Sequence, residues 1–286
     1  MRRLGRGLVA VAAIAFCCAA YLYLTLPDVR ALRSISPATT AFIELRARQA
    51  RTSGREPRRV QRWAPYARIS PHLKRAVLVA EDSAFWKHDG VDYGQLKESM
   101  EINLERGEFV RGASTITQQL AKNLYLSPAK NPIRKLRELL IARRLEAELS
   151  KQRILELYLN VIEWGDGIYG AEAASRTYFG KAAADLGPQE AALLAAAIIN
   201  PRVLTPGQPT ARLRRRQQMI MRRMGAVTPP PVVAETQPPP PAGTESIDAP
   251  FVPSLPPEDL PEVLPGQPVE SEPPAPVKPC AVPPCR

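Results

Sequence analysis

Three short segments carry side chains suited to moving a proton and holding a phosphate. The first is Glu81-Asp82, two adjacent carboxylates that follow the apolar run Ala76-Val77-Leu78-Val79-Ala80. On a helix, Glu81 has Val77 at i−4 and Phe85 at i+4, and a carboxylate beside apolar groups is partly desolvated, which raises its pKa. A general base works best with a pKa near the working pH. An arbitrary glutamate in such a place is more often a surface carboxylate at a helix edge. The second segment runs Gly112-Ala113-Ser114-Thr115-Ile116-Thr117-Gln118-Gln119, then Lys122-Asn123. A helix that opens on small, hydroxyl- and amide-bearing residues presents backbone N–H donors to an anion. Lys122 follows one turn later, although an ordinary capped helix reads the same way. The third is Arg134-Lys135-Leu136-Arg137-Glu138. Glu138 either pairs with Arg134 at i−4 on a solvated face, worth a few tenths of a kcal/mol, or the cationic cluster faces a departing pyrophosphate and Glu138 orients the cations or helps hold a metal.

These segments need helices to position them. Ser70-Pro71 is an N-cap followed by proline in the first turn. Leu73, Val77, Ala80 and Ala84 then recur at helical spacing, which predicts a helix that ends near His88, before the Asp89-Gly90 turn. A second helix is expected over Tyr93–Arg106, stopped by Gly107. A third opens near Ser114, with Thr115 and Gln118 at capping-box spacing. Others are expected at about 133–149, 151–160, 171–178, 188–199 and 212–224. Gly165, Gly167 and Gly170 mark a loop between them. No stretch alternates clearly with period two, so the fold class is all-α, or mainly helical.

The rest of the chain is uneven. Leu8–Leu26 carries no charge, and a helix needs about 20 apolar residues to cross a bilayer. Arg2, Arg3 and Arg6 precede it, which predicts a cytoplasmic N-terminus, residues 1–7, and an exported remainder. A cleaved signal peptide would have a shorter apolar core. Residues 27–61 form a basic stem with little pattern, either solvated or facing anionic headgroups. Residues 225–286 hold 20 of the 31 prolines and have a net charge of −6, which leaves +17 for the remainder of a chain whose total is +11. Proline fixes φ and removes a donor, so this tail is expected to be an extended, disordered arm. A basic domain beside a membrane meets anionic headgroups and pyrophosphate-linked lipids before nucleic acid. Cys17 and Cys18 lie in the apolar run, and Cys280 and Cys285 could pair only across a small loop in the tail. Two histidines, His72 and His88, give a Ser/His or Cys/His triad little support.

Together the segments resemble the family-51 peptidoglycan glycosyltransferases, in their monofunctional biosynthetic form. The motifs that carry the resemblance begin with Glu81-Asp82-Ser83-Ala84-Phe85-Trp86-Lys87-His88-Asp89-Gly90 and continue with Arg111-Gly112-Ala113-Ser114-Thr115 to Lys122-Asn123. Arg134-Lys135 with Glu138 comes next, then Leu157-Tyr158-Leu159-Asn160 with Glu163-Trp164-Gly165-Asp166-Gly167, and last Glu190-Ala191-Ala192-Leu193 to Asn200-Pro201. They occur in order across about residues 62–224. The resemblance implies a lysozyme-like helical domain with a membrane-dipping jaw, and a reaction in which the 4-hydroxyl of lipid II attacks the anomeric carbon of a lipid-pyrophosphate-linked glycan. Undecaprenyl pyrophosphate leaves, and a β-1,4 bond forms with inversion.

The resemblance also implies site residues. Glu81 and Glu138 are the catalytic pair, with Glu81 the base. Ser114, Gln118, Lys122, Arg134, Lys135 and Arg137 bind the donor pyrophosphate and sugars, and Lys130 joins them where the family often has arginine. Asp82 and His88 fit a structural role as well as a functional one. Mg²⁺ or Mn²⁺ suits a pyrophosphate, but the sequence demands no cofactor. The implied setting is the bacterial inner membrane, single-pass with the catalytic domain periplasmic, and the implied partners are lipid II, growing glycan and cell-division or elongation proteins. Two alternatives remain: a lytic murein-cleaving enzyme on a similar scaffold, and a non-catalytic membrane scaffold. The first needs neither the cationic segment nor a membrane span, and the second predicts degraded motifs, whereas Glu81 and Glu138 are both intact.

Overall fold

The computed structural model describes residues 2–107, 112, 114–129 and 131–225, with the side chains of residues 2–8 and 19 left aside. Helix α1 spans Arg2–Leu24. The sequence predicts a membrane span over Leu8–Leu26; among the described residues no helix is long and apolar enough to cross a membrane. The expected tail and its two cysteines lie outside the described residues.

The segment expected to be an unpatterned stem is folded. It holds a 3₁₀ turn, Arg30–Arg33, then α2, Ala41–Thr52, and strand β1, Val60–Gln61. Its basic sequence hides this, because Ile43 is the one buried residue on α2. What docks α2 is an ion pair: Arg46 meets the buried carboxylate of Glu163 at 3.0 Å.

The three segments singled out from the sequence follow on helices with explicit starts. Ser70 caps α3, Pro71–Glu81, by accepting from His72 N. Asp92 caps α4, Tyr93–Arg106, and Gly107 ends it at φ 64°, the left-handed region where glycine carries no Cβ penalty. Thr115 caps α5, Ile116–Tyr125, accepting from Gln118 N; Asn131 caps α6, Pro132–Glu148; Ser150 caps α7, Lys151–Val161. Each such cap contributes about 1 kcal/mol. Strands β2, Glu163–Gly165, and β3, Ile168–Tyr169, come next, then α8, Ala171–Phe179, α9, Pro188–Ala197, and α10, Ala211–Met224.

Two expectations need correction. First, α3 stops at Glu81, not near His88. Asp82 leaves the helix at φ −164°, ψ 81°, and a short 3₁₀ turn, Phe85–Lys87, follows. Phe85 is therefore not one helical turn beyond Glu81. Second, the fold is mainly helical but carries a small sheet in the order β1-β3-β2, with Val60 beside Ile168 in parallel and Glu163 beside Tyr169 in antiparallel register. Strands of two or three residues are too short to show a period. The expected glycine loop is the turn between β2 and β3. Gly167 sits there at φ 69°, and a Cβ would fall 2.5 Å from the Arg58 carbonyl oxygen.

The core lies where α3 meets α9 and α10, and where α5 meets α6 and α7. Leu73, Val77, Ile116, Leu120, Ile141, Leu145, Ile154 and Tyr158 are fully buried. Burying each large apolar side chain contributes about 1.5–3 kcal/mol. Residues Ala191 to Ala197 of α9 are all buried too, and five of those seven side chains are methyl groups that let neighbouring helices approach closely.

Candidate active site

Glu81 is the last residue of α3, and its side chain is 13% exposed. Oε2 accepts from Gln119 Nε2 on α5 at 2.9 Å. The Arg216 guanidinium on α10 stands 3.8 Å from Oε1. Burial pushes the Glu81 carboxyl above the ordinary glutamate range, against the opposing pull of the Gln119 bond and of the charges on Arg216 and Lys122. Glu81 is thus a desolvated carboxylate held by one neutral donor, which is the state a general base needs.

Asp82 and His88 build the platform under it. The Asp82 side chain is 1% exposed; Oδ2 accepts from Ile116 N, the first residue of α5, at 3.0 Å, and Oδ1 meets His88 Nε2 at 3.0 Å. Because a carboxylate only accepts, Nε2 carries the proton. The carboxylate next to Glu81 therefore ties the end of one site helix to the start of another. Thr117 on α5 is tied to α6 in turn, through Glu146 at 2.5 Å.

The second group gathers on α5 and α6. Glu138 is 3% exposed. Its two oxygens take Arg134 Nη1 and Lys135 Nζ, each at 2.5 Å. Lys135 Nζ also reaches Gln118 Oε1 at 3.1 Å and Ser114 Oγ at 3.3 Å. Lys122 lies in the field of both groups, feeling Glu138, Arg134 and Lys135 on one side and Glu81 on the other; burial pulls its ammonium below the ordinary lysine range. An anion arriving here would meet three cations and only one carboxylate already shared between two of them.

The structure thus brings Ser114, Gln118, Lys122, Arg134, Lys135 and Glu138 together, with Glu81 one helix away. It does not bring Arg137 in. That guanidinium donates to the Thr25 hydroxyl and carbonyl, both at 2.9 Å. Lys130 lies outside the described residues. Three neighbours of Glu81 were not singled out from sequence: Gln119, Arg216 and Tyr158. Gln119 and Tyr158 sit inside quoted motifs, while Arg216 lies in the last expected helix, outside them.

The described residues do not build a metal cage. Both oxygens of Glu138 already hold cationic side chains, and among the described residues no group of three or more His, Cys, Asp or Glu side chains converges on one point. A separate polar cavity of about 650 Å³, lined by Arg46, Arg58, Glu163, Asp166 and Arg202 among others, shares none of the residues of this site.

Residues 48–225 match the family described as Transglycosylase. The chain is 50% identical over 168 residues to a protein of Dechloromonas aromatica named biosynthetic peptidoglycan transglycosylase, covering 59% of this chain and 73% of that one. A protein of the same name from Aromatoleum aromaticum is 52% identical over 167 residues, 58% of this chain and 73% of its own. Another from Azoarcus sp. is 46% identical over 201 residues, 70% of this chain and 86% of its own.

Proposed function

This chain belongs to the transglycosylase family, and from that premise we propose how its residues do the work. It is a peptidoglycan glycosyltransferase. Its donor is the growing glycan on a lipid pyrophosphate, and its acceptor is lipid II. Glu81 takes the proton from the acceptor 4-hydroxyl as that oxygen attacks the donor anomeric carbon. The bond to the pyrophosphate breaks on the opposite face, so a β-1,4 linkage forms with inversion and no glycosyl-enzyme intermediate. Lys122, Arg134 and Lys135 hold the pyrophosphate and offset the charge it gains on leaving. Glu138 keeps Arg134 and Lys135 in place, and Ser114 and Gln118 fix Lys135 from the other side. No step is routed through a metal.

The observation that carries this reading is the pairing of one desolvated carboxylate, Glu81, with a cationic cluster reached through the same helix, α5. A lytic enzyme or a scaffold has no use for that cluster.

The same reading places the protein in the bacterial inner membrane with its catalytic domain outside the cytoplasm. It is supported by the uncharged run Leu8–Leu26 behind Arg2, Arg3 and Arg6, and by exposed apolar side chains along α1, among them Val9, Ile14 and Phe16. A second apolar surface is the jaw. Tyr93, Leu96, Met100 and Leu104 line one exposed face of α4 around a cavity of about 810 Å³, and Ile133 and Leu136 of α6 are exposed as well. These surfaces suit an enzyme whose substrates carry long lipid tails.

The test is incubation of the detergent-solubilised protein with labelled lipid II, products resolved by size. Long, muramidase-sensitive glycan is expected from the parent and none from Glu81→Gln. Shortening of pre-formed glycan would overturn the polymerase in favour of a lytic enzyme. Polymerisation by Glu81→Gln at near the parental rate would remove Glu81 as the base.

A further inference from the structure

We propose that Tyr158 is a positioning residue for the reaction, because its hydroxyl decides which end of the Gln119 side chain meets Glu81. The inference rests on Glu81 being the base. Tyr158, on α7, is fully buried. Its hydroxyl lies 2.9 Å from Gln119 Oε1, and Gln119 Nε2 lies 2.9 Å from Glu81 Oε2. The three side chains form one line from the core to the site.

A carboxamide is nearly symmetric in shape, so packing alone does not choose between its two orientations. Chemistry does. With Nε2 toward Glu81, the amide donates to the carboxylate and Oε1 accepts from the phenol, so every group is satisfied. With the amide reversed, Oε1 faces the carboxylate oxygens and the phenol proton is left buried without an acceptor. That orientation suits only a protonated Glu81. The phenol holds its proton throughout, since burial, helped by the charges on Glu81 and Asp82, raises its pKa well above 10. Tyr158 therefore holds Gln119 in the orientation that favours the ionised base, without touching substrate.

The other groups around Glu81 set the background. Lys122 on α5 and Arg216 on α10 favour its ionised form, and Asp82 beside it opposes ionisation. None of these is hydrogen-bonded to the Tyr158 hydroxyl, so removing that oxygen isolates one contribution.

The experiment is the pH profile of polymerisation from labelled lipid II. Tyr158→Phe deletes one oxygen from a packed ring. Its acid limb is expected to move to higher pH, with the rate about two- to tenfold below the parent on that limb, the factor that one net hydrogen bond represents. The two rates converge at high pH, where Glu81 is ionised in both. Gln119→Met keeps the shape, removes both bonds, and is expected to move the limb the same way. Adding Tyr158→Phe to Gln119→Met then changes nothing further. A Tyr158→Phe profile lowered uniformly with its midpoint in place would overturn the proposal and leave Tyr158 a packing residue. So would additive effects in the double variant. Glu81→Gln separates this failure from failure of the base assignment. If it is inactive while Tyr158→Phe leaves the midpoint in place, only the positioning role falls; if it polymerises, the base assignment falls first.

Discussion

Replacing Asp82 should cost more than replacing most carboxylates, and the two obvious replacements should differ by a calculable amount. Asp82→Ala removes the acceptor for two buried donors: the N–H of Ile116, a fully buried residue, and Nε2 of His88, whose side chain is 8% exposed. A buried donor left without a partner costs about 1–3 kcal/mol, so the pair costs about 2–6 kcal/mol. Total stability of a domain is about 5–15 kcal/mol, so this is a large share. Asp82→Asn keeps one oxygen for Ile116 N–H and can turn its amide toward His88 Nε2 if the ring moves its proton to Nδ1. Nδ1 has no partner, so one buried donor is stranded instead of two, at about 1–3 kcal/mol. Urea unfolding of the solubilised protein, followed by tryptophan fluorescence, measures both. Order parent, Asn, Ala is expected, with Ala lowest. If Asp82→Ala falls within about 1 kcal/mol of the parent, or Asn is as damaging as Ala, the tie between α3 and α5 is not made by this carboxylate.

Other outcomes follow from the same geometry. Folding raises the pKa of Glu81 above its ordinary value of 4.5, so the native state binds more protons in the window above that value and stability falls as pH rises through it. Glu81→Gln is therefore expected to melt higher than the parent near neutral pH and to lose that advantage as pH falls to 4.5; an equal melting temperature across the range would contradict burial of the charge. Glu138→Gln leaves Lys135, 42% exposed, able to turn to water, but leaves Arg134, 17% exposed, with only a neutral acceptor, so stability should fall by about 1–3 kcal/mol. Polymerisation should fall about 10- to 100-fold as the cations lose their fixed position, and an unchanged rate would exclude Glu138 from the site. A Cβ at Gly165 would stand 1.9 Å from the Tyr178 hydroxyl oxygen; Gly165→Ala should cost about 1–3 kcal/mol, and Tyr178→Phe in the same chain should recover part of it. Simple additivity of the two changes in unfolding free energy would rule out that clash.

The helices and their caps were largely legible because the signals are local. Ser70-Pro71 and Thr115 each announce a start within three residues of it, and Gly107 an end. The premature end of α3 was not legible, since what holds Asp82 out of the helix is Ile116, 34 residues away. The same limit applies to Gln118 and Gln119. They are neighbours about 100° apart on the helix, and the sequence pattern cannot say that one faces Lys135 and the other Glu81. Arg137 shows it from the other side: its position in a cationic run resembles that of Lys135, but its guanidinium serves α1. The ion pair that docks α2, Arg46 with Glu163, joins residues 117 apart and has no periodic trace.

Helix α1 has no basic residue in its last turn, and the three carbonyls just beyond it take their donors from α6. Arg137 holds Thr25, and Arg144 reaches the carbonyls of Leu26 and Pro27 while its guanidinium lies over the Tyr23 ring. Both arginines belong to α6, the helix that carries Glu138 next to Arg137. A helix joined to the rest of the chain only by a slack link would take up many positions about it. Here α6 acts as a strut bolted to that helix at one point and to the cationic cluster one residue later. The distance from the end of α1 to the cationic cluster is then a built-in dimension of the molecule.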